Sequence, residues 1–438
     1  MDRVYFYCAR LLQCVVLLGL VGVTLRVMPV AAAPFAYVTN TVDNTVAVLD
    51  TATNTVAATI PVGHAPVWVA ITPDGALAYV TNHSSNGTVS VIATAINTVV
   101  ATIPVGTRPS AVAITPDGAL AYVTNFNDDT VAVLDTATNT VVATVPVAVA
   151  PPSEGPYGVA ITPDGAHVYV ANTNFIGNGT VLVIATATNT VVAPVPVGVG
   201  PFGVAITPDG AHVYVTNSNI NGTVSVIATA TNTVVATVPV GNSPAGVAIT
   251  PDGALAYMAN VGDNTVAVLA TATNTVVATV PVGAFPTGVA ITPDGAHVYV
   301  TNFNDDTVSV IATATNTVVA TVPVGTSPAA VAITPPTSPA CPSFLVCALH
   351  RLKELVAICR FCPPDPSHWL LDKINEAMSQ VLKGHTVGAV QALQQFVHGT
   401  EHFISKGALT VEEGRRFIVA ADALIAQLGG SRGGEAER

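Results

Sequence analysis

A tetrapeptide, Tyr-Val-Thr-Asn, recurs through the first three quarters of the sequence and constrains the fold more than any other feature. Its seven copies are spaced 42 to 47 residues apart, and two of them vary to Tyr-Val-Ala-Asn and Tyr-Met-Ala-Asn. Self-similarity at this period is typical of propellers and solenoids. The copies begin at Tyr37, Tyr79, Tyr122, Tyr169, Tyr214, Tyr257 and Tyr299.

Each repeat has the pattern of four short strands, as the stretch 244–283 illustrates. An apolar run ends at a Pro-Asp-Gly turn, and the tyrosine strand and a Thr-Val-Ala-Val-Leu strand follow it. Pro281 interrupts the fourth strand, and a proline cannot donate a ladder hydrogen bond, so this strand belongs at a sheet edge. Four antiparallel strands with the proline-bearing strand outermost make one propeller blade.

The repeats are out of phase with the chain ends. The first repeat begins at its second strand, with Phe35, and an additional inner strand, 329–334, follows the last complete repeat. We expect this late strand to join the first three, because the overlap removes an open sheet edge. The predicted fold is mainly β: a seven-bladed β-propeller over 34–335, closed by strand overlap and followed by a small α-helical bundle.

These units resemble the YVTN-type β-propeller repeats of bacterial and archaeal surface and exported proteins. The resemblance rests on Tyr-Val-Thr-Asn, Asn-Thr-Val-x-Val-Ile/Leu, Thr-Asn-Thr-Val-Val-Ala-Thr-Val-Pro-Val-Gly and Ile-Thr-Pro-Asp-Gly, and it extends from Pro34 to about Pro335. It implies the fold but no single function, because the seven-bladed scaffold also hosts lactonases, quinone-dependent dehydrogenases and binding modules.

The first 32 residues have the pattern of a secretory signal peptide. Arg3 and Arg10 precede an apolar run, 11–25, and Val30-Ala-Ala32 offers a small-residue cleavage site. The alternative is an uncleaved anchor, but a run of about 15 residues is shorter than the roughly 20 that span a bilayer. We therefore expect a secreted, periplasmic or cell-surface protein without a membrane span after cleavage.

Arg108 is the only Lys or Arg between Pro34 and Pro336, a stretch that holds fifteen Asp and Glu residues. Nucleic acids and anionic lipids are bound through clusters of Lys and Arg, so this stretch argues against docking on anionic lipid, and no nucleic-acid partner is expected. An extracellular or periplasmic protein or glycan is the expected partner.

Two sets of loops divide the blade ends. The loops after the second and fourth strands share one rim and vary between repeats, and we call this the variable rim. The Pro-Asp-Gly and Thr-Asn-Thr turns share the opposite, constant rim. Aromatic and Arg side chains among polar groups are typical of recognition surfaces, although packing at the channel mouth is the alternative. Phe126 also lies on the variable rim, and the candidate binding residues are His64, Trp68, His83, Arg108, Glu154, Tyr157, Phe202 and Phe285.

No catalytic constellation, cofactor or metal site is predicted from local spacing. Calcium at the Asn-Asp-Asp loops is an alternative, through Asp128 and Asp129 or through Asp305 and Asp306, although these residues also form turns without an ion. The sequence therefore favours a binding or structural module of the cell envelope. The alternative is a propeller enzyme of the lactonase-like hydrolase or quinone-dependent dehydrogenase type.

The repeat stops near Pro335 and the composition changes. Residues 336–366 form a Pro- and Cys-rich linker with a short helix at 344–358, and three amphipathic helices are predicted at 369–382, 386–404 and 410–428. Lys383-Gly-His-Thr-x-x-Ala389 and Gly407-x-Leu-Thr410 make 367–429 resemble a FIMAH-type helical domain. The resemblance implies an accessory module for attachment or assembly, followed by a disordered tail, 430–438.

Four cysteines, Cys341, Cys347, Cys359 and Cys362, lie within this linker and are disulfide candidates because export favours oxidation. A straight helix over 344–358 would hold Cys347 and Cys359 about 18 Å apart, too far to bridge. The other pairings stay open, with a zinc site or a Cys-x-x-Cys redox centre as alternatives.

Overall fold

The computed structural model describes residues 34–148, 155–336, 367–382 and 386–405, together with 418 and 421. The chain divides into two compact units, and one of them, Ala33–Thr337, contains all the strands described below. Glu154, the leader 1–32 and the linker cysteines lie outside the described residues.

The strands form seven four-stranded antiparallel sheets, each of which is one blade. Blade 1 consists of β28 (Pro328–Ile333), β1 (Phe35–Asn40), β2 (Thr45–Asp50) and β3 (Thr55–Pro61). Blades 2 to 4 consist of β4 (Pro66–Ile71), β5 (Leu77–Asn82), β6 (Gly87–Ala93), β7 (Thr98–Gly106); β8 (Pro109–Ile114), β9 (Leu120–Asn125), β10 (Thr130–Asp135), β11 (Thr140–Pro146); and β12 (Gly155–Ile161), β13 (His167–Thr173), β14 (Asn178–Ala185), β15 (Thr190–Val199). Blades 5 to 7 consist of β16 (Pro201–Ile206), β17 (His212–Asn217), β18 (Gly222–Ala228), β19 (Thr233–Gly241); β20 (Pro244–Ile249), β21 (Leu255–Asn260), β22 (Thr265–Ala270), β23 (Thr275–Pro281); and β24 (Pro286–Ile291), β25 (His297–Asn302), β26 (Thr307–Ala312), β27 (Thr317–Pro323).

The ring is closed by the last strand. β28 pairs antiparallel with β1, and Val331 lies opposite Val38. The inner strands contact one another in the order β28, β4, β8, β12, β16, β20, β24 and back to β28. The predicted seven-bladed propeller with strand-overlap closure is confirmed, and in each blade the proline-bearing fourth strand is the outermost one.

The motif tyrosines connect the blades. All seven are buried, and each hydroxyl donates to the Asn side chain in the turn after the third strand of the next blade. This Asn has a positive φ, 53° at Asn54, a backbone conformation that Asn tolerates better than most residues. The bond from Tyr299 to Asn54, 2.7 Å long, joins the last blade to the first. The other pairs are Tyr37–Asn97, Tyr79–Asn139, Tyr122–Asn189, Tyr169–Asn232, Tyr214–Asn274 and Tyr257–Asn316.

The motif threonine makes a second connection between blades. Each inner strand has a β-bulge just after its first proline, which removes backbone groups from the ladder. In blade 3 the Thr124 hydroxyl accepts the freed N–H of Ala111 at 2.9 Å and donates to the carbonyl of Tyr157, in blade 4, at 2.7 Å. Thr216 repeats this arrangement between blades 5 and 6.

Two helices, α1 (Ser367–Leu382) and α2 (Thr386–Ser405), confirm the helices predicted at 369–382 and 386–404. They pack against each other, and Ile374, Leu393 and Phe396 are buried. The predicted third helix lies outside the described residues except for 418 and 421, which are both helical. Neither α1 nor α2 is apolar over a length that would carry it through a bilayer.

Candidate functional site

The residue before each inner-strand proline connects the loops of the variable rim. In six blades its N–H donates to the loop of the preceding blade and its carbonyl accepts from the loop of its own blade, as at Ser327. This position has a positive φ in every blade, which is uncommon for a residue other than Gly. Its side chain therefore projects from a fixed backbone. The seven residues are Ala65, Arg108, Gly155, Gly200, Ser243, Phe285 and Ser327.

His83 lies half-buried in the loop between the second and third strands of blade 2. Its backbone N–H donates to the carbonyl of Ala65, and its ring Nδ1 lies 3.2 Å from the carbonyl oxygen of Pro109. A carbonyl can only accept, so this contact assigns the proton to Nδ1 and leaves Nε2 with a free lone pair. Burial lowers the pKa of His83, the hydrogen bond to Pro109 opposes this in part, and the nearby charge of Arg108 lowers the pKa further, so the imidazole is neutral at pH 7.

Arg108 stands next to His83 on the rim. Its φ is 53°, its N–H donates to Ser84 in the His83 loop at 2.9 Å, and its carbonyl accepts the N–H of Phe126 at 3.0 Å. The backbone is thus held on both sides, while the guanidinium is exposed to solvent. Within the described part of the propeller it is the only Lys or Arg side chain.

Three aromatic rings continue the rim from Arg108. Phe126 meets Tyr157 edge to face at a centroid distance of 6.2 Å, and Tyr157 stacks on Phe202 at 3.9 Å. The stack depends on Gly158, since a Cβ there would lie 2.1 Å from the carbonyl oxygen of Phe202. Without a side chain at 158, the inner strands of blades 4 and 5 approach closely enough for the preceding residues to stack. Burial raises the pKa of Tyr157 to about 12, so its hydroxyl is neutral.

Together these residues form one continuous surface from blade 2 to blade 5. We name it the rim arc and define it as His83, Arg108, Phe126, Tyr157 and Phe202. Each member contacts the next through a hydrogen bond of its backbone or an adjacent backbone, or through its ring. The structure thus brings four of the eight predicted binding residues together, and it adds Phe126, which was predicted on the rim but not among those eight.

The remaining candidates take different positions. His64 is exposed beside Ala65, next to the His83 end of the rim arc. Trp68 occupies the inner-strand position equivalent to Gly158 and packs against core residues on both sides of its blade. Phe285 belongs to blade 7, where its ring lies 5.8 Å from that of Phe303. Glu154 lies outside the described residues, so nothing is stated of its environment.

The loop aspartates bind backbone amides of neighbouring loops. Asp128 accepts the N–H of Thr107 at 2.6 Å, and Asp305 accepts the N–H of Ala284 at 2.7 Å. Asp306 accepts the N–H of Ser327 at 2.8 Å. In the described ranges no group of three or more His, Cys, Asp or Glu side chains is arranged to hold a metal ion. Calcium at these loops stays a prediction.

The constant rim carries two adjacent grooves of about 250 Å³ each that the sequence did not predict. The first is lined by His167 with Asp164 and Asp209, and the second repeats it one blade further with His212 and Asp252. The aspartates already accept bonds within their own turns, from Thr162 to Asp164 for example. Those turn bonds, chiefly from Thr162, lower the pKa of Asp164.

Comparison with known proteins identifies the family. A family model described as "Lactonase, 7-bladed beta-propeller" matches residues 39–321. Solved structures with a similar fold include hydrazine synthase of Kuenenia stuttgartiensis, at 24% identity and a TM-score of 0.55, which covers 60% of this chain and 88% of that one. A functionally unknown protein from Desulfotomaculum acetoxidans matches at 19% identity and a TM-score of 0.60, over 69% of this chain and 100% of that one.

A putative 6-phosphogluconolactonase from Bacteroides uniformis matches at 18% identity and a TM-score of 0.57, over 68% of this chain and 99% of that one. At such identities these structures establish the fold alone, and no curated protein matches. The family model, in contrast, spans well over half of the sequence. The chain therefore belongs to the lactonase family of seven-bladed β-propellers.

Proposed function

We propose that the propeller hydrolyses a lactone at the rim arc. The observation that carries this proposal is the environment of His83, whose Nδ1 faces the carbonyl of Pro109 while its pKa is lowered. A neutral imidazole with a free Nε2 is a competent general base. Membership of the lactonase family supplies the reaction class.

The reaction needs one proton acceptor and one group that stabilises negative charge. Nε2 of His83 accepts a proton from water as the water oxygen adds to the lactone carbonyl carbon. The guanidinium of Arg108 stabilises the resulting oxyanion, because a fixed positive charge at developing negative charge lowers the barrier. The ring C–O bond then breaks, and the leaving alkoxide takes the proton back from His83, which yields a hydroxy acid.

The backbone from which both side chains project is held in place before substrate binds. The loop of His83 is tied to Ala65 and Arg108 through carbonyl-amide bonds of 2.9 Å. Arg108 cannot relax its positive φ without losing its bonds to Ser84 and Phe126. Such preorganisation is what electrostatic stabilisation of a transition state requires.

The test is lactone turnover by the purified protein, followed by release of acid from unsubstituted and alkyl-substituted γ-lactones. We expect His83→Gln and Arg108→Gln each to lower kcat/KM by about 10²-fold or more, in the range of general-base and oxyanion-stabiliser losses. His212→Gln, on the constant rim, is the control and should leave turnover unchanged. Full activity in the His83→Gln variant would refute the assignment.

A second candidate, the binding module predicted from the sequence, is favoured by exposed apolar side chains on the rim loops of blades 4 and 5. Phe175 is 47% exposed, Ile176 81% and Ile220 79%. Exposed apolar groups of this kind mark interaction surfaces. Capture of an envelope protein or glycan by the full chain, lost in an Ile176→Ser and Ile220→Ser double variant, would support this function.

We also propose export through the leader 1–32 and an accessory role for the helices as a FIMAH-type module. The proposal of export rests on the succession of Arg residues, an apolar run and small residues at the N-terminus. The proposal of an accessory module rests on the motif residues around Lys383 and Gly407. N-terminal sequencing of protein from fractionated cells tests the leader, since mature chains should begin at Ala33. Retention of residues 1–32 would contradict it.

A further inference from the structure

We infer that the lactone is neutral and bears an aliphatic chain of several carbons, an inference that rests on the proposed function of the rim arc. Two independent observations support this substrate class. One is the charge distribution around Arg108. The other is the row of aromatic rings that begins at Phe126, whose backbone is bonded to that of Arg108.

The charge distribution disfavours an anionic substrate. A phosphate dianion is usually held by several cationic or N–H donors, often by bidentate Arg. The described propeller offers Arg108 alone, among fourteen aspartates. Two of these, Asp128 and Asp129, lie in the same loop as Phe126, which is a member of the rim arc. One guanidinium suffices for a transient oxyanion but does not offset a permanent double charge in this acidic surface.

The aromatic rings offer a surface for an apolar substituent. The backbone of Phe126 is bonded to that of Arg108, and its ring continues into Tyr157 and Phe202. All three rings are half-buried, so each still presents area to solvent. Burial of apolar substrate area against such rings is favourable. Each CH₂ group that is transferred from water to the rings should strengthen binding roughly fourfold.

The backbone that carries Tyr157 and Phe202 is also fixed, which lets the rings discriminate between substrates by chain length. Tyr157 and Phe202 follow prolines at the start of inner strands, and the Thr124 hydroxyl binds the carbonyl of Tyr157 at 2.7 Å. Gly158 fixes the separation between the two strands. A rigid apolar surface pays little ordering entropy on binding, so chain length should translate into affinity until the surface ends.

The experiment compares a series of γ-lactones whose alkyl chain grows one methylene at a time with gluconolactone and its 6-phosphate. We expect kcat/KM to rise about two- to fourfold per methylene over the first several carbons and both sugar lactones to react far more slowly. In Phe126→Ala the rise per methylene should flatten. The matched control is Phe303→Ala, because Phe303 occupies an identical Asn-Phe-Asn-Asp-Asp loop in blade 7, and this variant should keep the rise.

Calorimetric binding of the corresponding γ-alkyl lactams, which resist hydrolysis, separates the inference from the proposed function. Lactam affinity that rises with chain length, without turnover of any lactone, would refute lactone hydrolysis and retain the ligand class. Faster reaction of the 6-phosphate than of the alkyl lactones would overturn the inference and retain the proposed function. Turnover and binding that both stay constant as the alkyl chain lengthens would likewise overturn the inference.

Discussion

Raising the pH to deprotonate the motif tyrosines should unfold the propeller, because these groups are buried and hydrogen-bonded as neutral phenols. Burial raises the pKa of six of them, Tyr37, Tyr79, Tyr122, Tyr214, Tyr257 and Tyr299, to about 12. The sequence from 34 to 336 contains no Lys and no Cys, so tyrosines dominate its titration in this range.

The sign and size of the change in stability with pH follow from the difference between the folded and unfolded pKa of each tyrosine. The folded value lies above the unfolded value of about 10, so the stabilisation is complete below pH 10 and is lost as the pH rises toward 12. Each tyrosine loses about 2.7 kcal/mol once its ionisation is complete, and about 2.3 kcal/mol of this by pH 12, where the folded group is half ionised. By pH 12 six such groups lose about 14 kcal/mol, which is comparable to the roughly 5–15 kcal/mol stability of ordinary domains. We therefore expect unfolding between about pH 10 and pH 12.

The assay follows tyrosinate absorbance and the far-ultraviolet β-sheet circular dichroism of the full chain in one titration. We expect both signals to change together in a single steep transition above pH 10. Tyrosinate that forms near pH 10 while the β-sheet signal persists would refute the reasoning, because the hydroxyls would then be free to ionise within the folded blades.

A Tyr122→Phe variant tests the same reasoning in two directions. At neutral pH it loses the 2.7 Å bond to Asn189 and should be less stable by about 1 kcal/mol. Above pH 10 it has one titrating group fewer, so its stability falls less steeply, by about 1.4 kcal/mol per pH unit. The stability curves of variant and parent should cross at about pH 11. Parallel curves would show that Tyr122 does not titrate with unfolding.

Three further predictions concern the blade contacts and the rim. Ala259→Thr should raise the unfolding free energy by about 1 kcal/mol, because it restores the inter-blade hydroxyl that blade 6 lacks, and Thr216→Ala should lower it by a similar amount in denaturant titrations. Gly158→Ala should destabilise the chain by about 1–3 kcal/mol in the same measurement, since its Cβ would overlap the neighbouring inner strand, and unchanged stability would contradict that close approach. Arg108→Gln should shift the acidic limb of the kcat/KM profile to higher pH, because the charge that helps to lower the pKa of His83 is gone, and an unshifted limb would contradict their coupling.

The fold could be derived from the sequence because the same local pattern recurs seven times. Turn residues, strand lengths and the proline of the outer strand agree in each copy, and the phase of the repeat at Phe35 and Ala329 predicts the closure. The bond from Tyr299 to Asn54 could not be derived. It joins residues in different blades, and its existence depends on how far each blade twists relative to the next.

The candidate site was only partly predictable, for the same reason. Departures from the repeat marked Arg108, Tyr157 and Phe202 as unusual, but strand patterns carry no information on which loops touch across blades. The pairing of Trp68 with Thr81, next to a bulge at Val67, was likewise invisible, because bulge register is set by pairing with the neighbouring strand. Phe126 became a site residue only through its contact with Tyr157.

The bonds that hold the ring explain why specificity can reside at one inner-strand position. The hydroxyl of the motif Thr makes two bonds to residues that follow an inner-strand proline. It accepts the N–H of the second residue after the proline in its own blade, and it donates to the carbonyl of the first residue after the proline in the next blade. Both partners are backbone atoms, so the connection does not depend on the side chain of the first residue. In blades 4 to 7 the second residue is Gly, and the backbone that it faces leaves no room for a side chain, as at Gly158. The first residue is therefore free to vary, and Tyr157 and Phe202 occupy it in two adjacent blades. The repeat thus fixes the scaffold through backbone groups and leaves the side chains at the mouth available for a ligand.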